Sequence, residues 1–151
     1  MNTRTTLLRR LAFALALALP LAAVAAPVAE VYRDPSCGCC KAWIAYLRDH
    51  GYTVVDHEEP AMATLKQRLG VPGEAASCHT ARIGGYVIEG HVPVEDIRKL
   101  LAEHPHARGL AAPGMPMGSP GMEMGTAQRY PVLLIGTDGS TRVFAMHGPD
   151  A

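Results

Sequence analysis

Three cysteines lie within four residues of one another near the start of the chain, in the stretch Cys37-Gly38-Cys39-Cys40. A fourth cysteine, Cys78, follows 38 residues after Cys40. Thiolates attack disulfides and also bind soft metal ions, so this set could support redox chemistry or metal chemistry. A C-x-x-C pair is enough for a redox switch. The third cysteine between the outer two therefore needs an explanation beyond a simple bridge.

The beginning of the chain is typical of a secretory signal peptide. Arginines precede an apolar run over residues 11–26, which contains Pro20, ends in small residues and is followed by Pro27. The run is short for a membrane-spanning helix. We therefore predict a signal peptide over residues 1–25 and a periplasmic domain over residues 26–151, without stable membrane insertion. In that oxidising compartment, two disulfides are the simplest expectation for four cysteines.

The charge balance excludes one class of partner. Without the three arginines of the predicted signal peptide, eleven Lys and Arg remain against fourteen Asp and Glu, a net charge of −3 with histidine neutral. Such a chain has no electrostatic basis for binding nucleic acid or anionic membrane surfaces. Its motifs also include no Ser-His-Asp set, phosphate-binding loop or carboxylate pair, so we assign no catalytic residue.

The pattern of apolar residues and turn signals predicts an α/β fold of the order β-α-β-α-β-β-α, as in a thioredoxin-like sheet. Asp34 or Ser36 is expected to cap the first helix, and Gly84-Gly85 to turn the hairpin. Residues 105–129 are rich in Met, Pro and Gly and predict a long loop. An extra C-terminal β-hairpin should turn at Asp138-Gly139. The predicted inner stripes are Cys40, Trp43, Ile44 and Leu47 on the first helix, and Val94, Ile97, Leu101 and His104 on the third.

In this topology, the loop before the first helix and the loop before the third strand lie side by side. The fold should therefore bring Cys78 to Cys37, Cys39 and Cys40 at the N-terminus of a helix, which lowers thiol pKa values. Three interpretations remain open. A disulfide-stapled module would bridge Cys37 or Cys39 to Cys78, a thiol-disulfide oxidoreductase would use the outer C-x-x-C pair, and a soft-metal site would use all four thiolates.

Two observations favour the metal site. Thioredoxin-type enzymes generally carry a cis-proline before the third strand, and that place holds Cys78 with no proline beside it. Methionines also occur among prolines and glycines in the predicted loop, without the period expected of core residues. Thioether sulfur binds Cu(I) well and zinc poorly, so the metal should be copper. The secondary candidate ligands are Met115, Met117, Met122 and Met124, and weaker ones are His79, His91 and His147.

Four motifs in one order make the chain resemble the CopG-like proteins, exported metal-binding proteins of bacterial copper resistance that were long grouped as a domain of unknown function. These motifs are C-G-C-C-K-A-W, S-C-H-T, G-G-Y-V-I-E-G-H-V-P-V-E-D-I and G-L-A-A-P-G-M-P-M-G-S-P-G-M-E-M. The resemblance implies a thioredoxin-like fold. It also implies a multinuclear copper site with Cys37, Cys39, Cys40 and Cys78 as ligands.

We therefore predict a periplasmic Cu(I)-binding protein of copper homeostasis, with copper ions and other periplasmic copper-handling proteins as partners. Storage, transfer and redox conversion of copper are all compatible with this prediction. The alternative function is that of a thioredoxin-like thiol-disulfide oxidoreductase.

Overall fold

The computed structural model describes residues 26–151, and the predicted signal peptide lies outside the described residues. Within them, three α-helices accompany a mixed sheet of seven strands. The strands are β1 (Val28–Arg33), β2 (Thr53–Glu58), β3 (His79–Ile83), β4 (Tyr86–Glu89), β5 (Gly109–Ala111), β6 (Tyr130–Ile135) and β7 (Thr141–His147). The helices are α1 (Gly38–Asp49), α2 (Met62–Leu69) and α3 (Val94–Glu103). Across residues 26–151, none of the helices is both long enough and apolar enough to cross a membrane.

The sheet confirms the predicted α/β class and element order. Its strands lie in the order β2-β1-β3-β4-β5-β6-β7. Strands β1 and β2 are parallel and joined by α1, whereas β3 runs antiparallel to both β1 and β4. The hairpin between β3 and β4 turns at Gly84 and Gly85, which both have positive φ as the predicted tight turn requires. The C-terminal hairpin of β6 and β7 is also present.

The segment predicted as one long loop, residues 105–129, contains a strand. Strand β5 pairs in parallel with β4 and antiparallel with β6, so it joins the thioredoxin-like half of the sheet to the C-terminal hairpin. Gly109 permits this pairing because a Cβ there would overlap the carbonyl group of Val87. Three residues with a glycine among them have too little pattern to indicate a strand, and their neighbours in the sheet determine their conformation.

Helix α1 packs on the sheet and begins at the cysteines. Its predicted stripe is confirmed, with Trp43 fully buried and its indole Nε1 donating to the Val92 carbonyl at 3.0 Å. The predicted cap is wrong, because Cys37 is the N-cap and its Sγ accepts from the backbone N–H of Cys40. The Asp34 carboxylate instead accepts from the backbone N–H of Ser36, which closes the preceding turn. The cysteine motif thus includes the start of the helix.

The inner stripe of α3 differs from the prediction at its C-terminal end. Val94 and Ile97 are buried as expected, and the next buried residue is Leu100. Leu101 is partly buried, whereas His104 is exposed and forms the left-handed C-cap, with φ of 46°. The helix therefore ends before the predicted stripe is complete.

Candidate metal centre

The four cysteines lie together where the N-terminus of α1 meets the loop before β3. The sulfur atoms of Cys37, Cys39, Cys40 and Cys78 all lie within 4.8 Å of one another. Cys39 lies between the two sides of the group, because its Sγ is 3.6 Å from that of Cys37 and 3.9 Å from that of Cys78. The fold thus brings together all four sulfurs named from the sequence.

The outer two cysteines of the motif are paired. Cys37 and Cys40 form a disulfide, with their Cα atoms 5.4 Å apart, while Cys39 and Cys78 are free thiols. This is the pairing that a C-x-x-C redox motif at a helix N-terminus would form. The staple considered from the sequence, a bond from Cys37 or Cys39 to Cys78, is not the one in the structure.

Arg33, at the end of β1, fixes the loop that leads into the cysteines. Its guanidinium donates to the carbonyl oxygens of Asp34 and Pro35 and pairs with the carboxylates of Asp56 at 2.8 Å and Glu58 at 3.3 Å. The hydrogen bond and charge of Asp56 outweigh the effect of burial and raise the pKa of Arg33. Because Arg33 is buried and Asp56 lies on β2, the entry to the cysteine motif is tied to two parallel strands.

The buried carboxylate of Glu89 fixes the loop before β3, which carries Cys78. Glu89 is fully buried, and its oxygens accept from the backbone N–H of Ser77 at 2.7 Å, from Thr80 Oγ1 at 2.6 Å and from Lys66 Nζ at 2.5 Å. All peptide bonds of residues 26–151 are trans, so no cis-proline shapes this loop. Glu89 therefore holds the backbone next to Cys78 by charged hydrogen bonds.

Two buried histidines face the sulfur of Cys78. The Nε2 of His91 lies 3.1 Å and the Nδ1 of His79 lies 3.3 Å from Cys78 Sγ. The other ring nitrogen of His91 is 2.8 Å from the Pro120 carbonyl oxygen, which can only accept, so that nitrogen carries the proton. The Nε2 lone pair of His91 is thus directed to the cysteine, as in histidines that bind metals.

Both imidazoles are held in the neutral form that binds metals. Burial lowers the pKa of His91, and burial followed by the charges of His91 and Lys66 lowers the pKa of His79 well below its ordinary value. The Nε2 of His79 is buried without a hydrogen-bond partner in the described part of the chain. Cys78, His79 and His91 form a second potential metal-binding group that shares its sulfur with the first.

The methionine loop lies against the start of α1. A Cβ on Gly121, where φ is +81°, would come within 2.8 Å of the Trp43 backbone nitrogen and 3.2 Å of the Cys39 carbonyl oxygen. The loop is also held at Gly114, whose carbonyl accepts from the Ser77 hydroxyl. The four methionines of the loop differ in exposure. Met122 is buried, Met117 is partly buried, and Met115 and Met124 are 52% and 61% exposed.

The structure does not bring His147 to the cysteines. Its Nε2 lies 2.6 Å from the Asp96 carboxylate on α3, and its ring stacks on Tyr130. These contacts join β7 to α3. His147 therefore contributes to the packing of β7 against α3.

Comparisons with known proteins identify the family of the chain. A family model described as "Protein of unknown function, DUF411" matches residues 75–122. Two solved structures named "Copper resistance protein copG", form 2 and form 1, are 46% and 47% identical to the chain. They match 82% and 81% of this chain and 99% and 98% of their own, with TM-scores of 0.78 and 0.76. The chain belongs to the CopG-like family. No curated protein matches it.

In this CopG-like protein, His91 was one of the weaker candidate ligands in the sequence, and no sequence pattern indicated Glu89. The signal for His91 was its place directly after the hairpin, whereas its hydrogen bond to Pro120 depends on how the methionine loop folds back. Glu89 ends a short strand, where a charged residue is ordinarily solvated. Its role in holding the Cys78 loop becomes visible only from its contacts with Lys66 and Ser77 in the structure.

The two free thiols should differ in reactivity. Burial, followed by the neighbouring Cys39, raises the pKa of Cys78 to about 12. Cys78 is thus a protonated thiol at pH 8, and thiolate is the form that reacts. We expect iodoacetamide at pH 8 to modify Cys39 and leave Cys78 intact in the folded disulfide form, as measured by peptide mass spectrometry. Both should react alike in urea, and equal labelling in the folded protein would contradict the prediction.

Proposed function

We propose that this CopG-like protein binds Cu(I) in the periplasm as part of copper homeostasis, at a site built on Cys37, Cys39, Cys40 and Cys78. The observation that carries the proposal is the gathering of four sulfurs within 4.8 Å of one another. The two potential metal-binding groups found in residues 26–151 offer only sulfur and imidazole ligands. Soft thiolates favour Cu(I), and the thioethers of the methionine loop favour copper over zinc. The names of the two related structures support the same assignment.

The position of Cys39 supports a multinuclear site. The Cys39 sulfur lies 3.6 Å from that of Cys37 and 3.9 Å from that of Cys78, so we propose that it would be shared between ions bound by these two cysteines. The full set of four thiolates requires reduction of the Cys37–Cys40 disulfide, since a sulfur in a disulfide is not a thiolate ligand. The proposed cluster is therefore a property of the reduced chain.

The proposal is tested by anaerobic titration of the fully reduced protein with Cu(I) against a competing chelator. We expect more than one tightly bound copper per chain, because four clustered thiolates exceed what one ion needs. Less than one tight copper per chain would contradict the copper function. One copper only would contradict the multinuclear site while leaving copper binding in place.

We propose that the exposed methionines capture copper or pass it to other periplasmic copper-handling proteins. The Met115→Leu/Met124→Leu variant keeps the volume of both side chains and removes the thioethers. We expect the same number of tight copper ions and at least several-fold slower uptake from a chelator, followed by stopped-flow absorbance. Met62→Leu, on α2 and outside the loop, is the matched control. An unchanged uptake rate would exclude a capture role.

The Cys37–Cys40 disulfide favours a second candidate, a thiol-disulfide oxidoreductase. That pair lies at a helix N-terminus with the spacing such enzymes use. Reduction of a test disulfide substrate should be measured with and without bound copper. Efficient exchange that copper leaves unchanged would favour the enzyme over the copper-binding protein.

A further inference from the structure

The methionine loop contains a tight turn at residues 119–122, which we call the proline–glycine turn. The backbone N–H of Met122 donates to the Ser119 carbonyl at 2.8 Å, and Gly121 has φ of +81°. Proline at the second position and a glycine with positive φ at the third are typical of a type II turn. In that type, ψ of the second residue is about +120° instead of about −30°, so the central carbonyl points to the opposite side from that of a type I turn. The order Ser-Pro-Gly-Met thus sets the direction of the Pro120 carbonyl.

The proline–glycine turn is held together by bonds within the loop. Ser119 is fully buried, and its hydroxyl donates to the Pro116 carbonyl at 2.7 Å. The backbone N–H of Gly118 donates to the Met122 carbonyl at 2.8 Å. Both bonds join close neighbours in the sequence, so the loop itself determines the shape of the turn.

The turn contacts two different elements. On one side, the Pro120 carbonyl accepts from Nδ1 of His91 at 2.8 Å. On the other side, a Cβ on Gly121 would come within 2.8 Å of the Trp43 backbone nitrogen and 3.2 Å of the Cys39 carbonyl oxygen. Those two backbone atoms are the donor and acceptor that an α-helix pairs four residues apart, so neither can move aside without opening the first turn of α1. Only glycine therefore allows the approach that brings the Pro120 carbonyl to His91.

His91 depends on this approach for the direction of its lone pair. A neutral imidazole carries its proton on one nitrogen and a lone pair on the other. While Nδ1 donates to Pro120, the lone pair is on Nε2, which lies 3.1 Å from Cys78 Sγ. If the turn moves away, Nδ1 loses this acceptor and the proton can exchange to Nε2. The nitrogen that faces the cysteine then carries a proton and cannot bind a metal ion.

We propose that the proline–glycine turn is a positioning device that selects the His91 tautomer able to bind Cu(I) beside Cys78. Pro120 and Gly121 are positioning residues, because they act through His91 and do not touch the ion. The inference rests on the proposed copper function. It gives the methionine loop a second role, which depends on its proline and glycine and not on its thioethers.

The first test measures the tautomer in the metal-free protein. Long-range proton–nitrogen NMR spectra of histidine-labelled protein distinguish an Nδ1–H from an Nε2–H imidazole, and a His91→Gln variant identifies the His91 signals. We expect the proton of wild-type His91 on Nδ1. In Gly121→Ala most of it should move to Nε2, because the added methyl group displaces the turn.

The matched control is Gly125→Ala in the same loop. Gly125 has φ of +75°, and a Cβ there meets nothing within 4 Å, so this variant carries similar backbone strain without displacing the turn. It should keep the wild-type tautomer. An unchanged His91 tautomer in Gly121→Ala, or the same shift in both variants, would overturn the proposal.

The second test measures Cu(I) affinity of the fully reduced proteins by anaerobic competition. Gly121→Ala should bind about 10-fold more weakly, the usual cost of losing a group that orients a ligand, whereas Gly125→Ala should match the wild type. In a His91→Gln background, Gly121→Ala should cause no further loss, because the turn then has no imidazole to orient. An equal further loss in that background would exclude action through His91. Failure of the wild-type chain to bind Cu(I) would instead overturn the copper function, while the tautomer measurement, made without metal, would still decide whether the turn orients His91.

Discussion

The Cys78→Ser variant should bind Cu(I) at least about 100-fold more weakly than the wild-type chain, since loss of outer-shell partners alone costs 10–100-fold. Cys78 supplies the only sulfur from the loop before β3, and that sulfur contacts Cys39, His79 and His91. Serine offers a hard oxygen in its place, which Cu(I) binds poorly. The measurement is an anaerobic competition titration of the reduced protein.

The same variant should remain folded. The loop around residue 78 is held by the backbone N–H of Ser77, which donates to Glu89 whatever side chain follows. We therefore expect the free energy of unfolding to change by less than about 1 kcal/mol, as measured by urea denaturation. A folded Cys78→Ser chain with wild-type affinity would show that copper does not bind at this cluster.

Replacing Glu89 with glutamine should lower the free energy of unfolding by about 3–5 kcal/mol, the cost of leaving one member of a buried ion pair unpaired. Glu89 has no solvent exposure and the Lys66 side chain is only 13% exposed, so little water reaches the ammonium group when the carboxylate is lost. Glutamine has nearly the same shape, which limits the change to charge and hydrogen bonding. Urea denaturation of the metal-free protein measures the effect.

The matched control for this prediction is Glu58→Gln. Glu58 also pairs with a buried cation, Arg33, but its side chain is 59% exposed, and Arg33 keeps Asp56 as a second partner. An exposed pair of this kind is worth at most about 1 kcal/mol. If Glu89→Gln destabilises the protein no more than Glu58→Gln does, the carboxylate does not hold the Cys78 loop in the way described.

Glu89→Gln should also weaken Cu(I) binding by about 10–100-fold, the usual cost of removing a group that orients a ligand. The affected ligand is Cys78, because the backbone N–H of its neighbour Ser77 loses a charged acceptor. Affinity should be compared under conditions where the variant is fully folded. Wild-type affinity together with lowered stability would limit Glu89 to a structural role.

Much of the fold could be predicted because its signals are local. Helix α1 carries four apolar residues at helical spacing, and the β3-β4 hairpin has two glycines that both adopt positive φ. The placement of Cys78 beside the first cysteine motif followed from topology alone, since adjacent strands bring their loops together. These features required no knowledge of side-chain packing.

The parts that could not be predicted depend on distant partners. Strand β5 exists because β4 and β6 lie on either side of it, and its own three residues show no period. His91 is only one of several weak candidates in the sequence, and its orientation depends on the Pro120 carbonyl, 29 residues away, which fixes its proton. The division of the cysteines into bonded and free sulfurs likewise depends on geometry that spacing alone left open.

The methionine loop leaves the sheet at β5 and re-enters it at β6, two strands that lie side by side. A loop between neighbouring strands can change length at small entropic cost, because its ends are already fixed. The cysteines, by contrast, belong to the helix start and to the loop before β3. The methionine loop can thus change in length while the positions of the four cysteines stay the same. Histidines placed at the exposed residues 124–126 would change which metals gain access and would leave the contacts of Gly114, Pro120 and Gly121 in place.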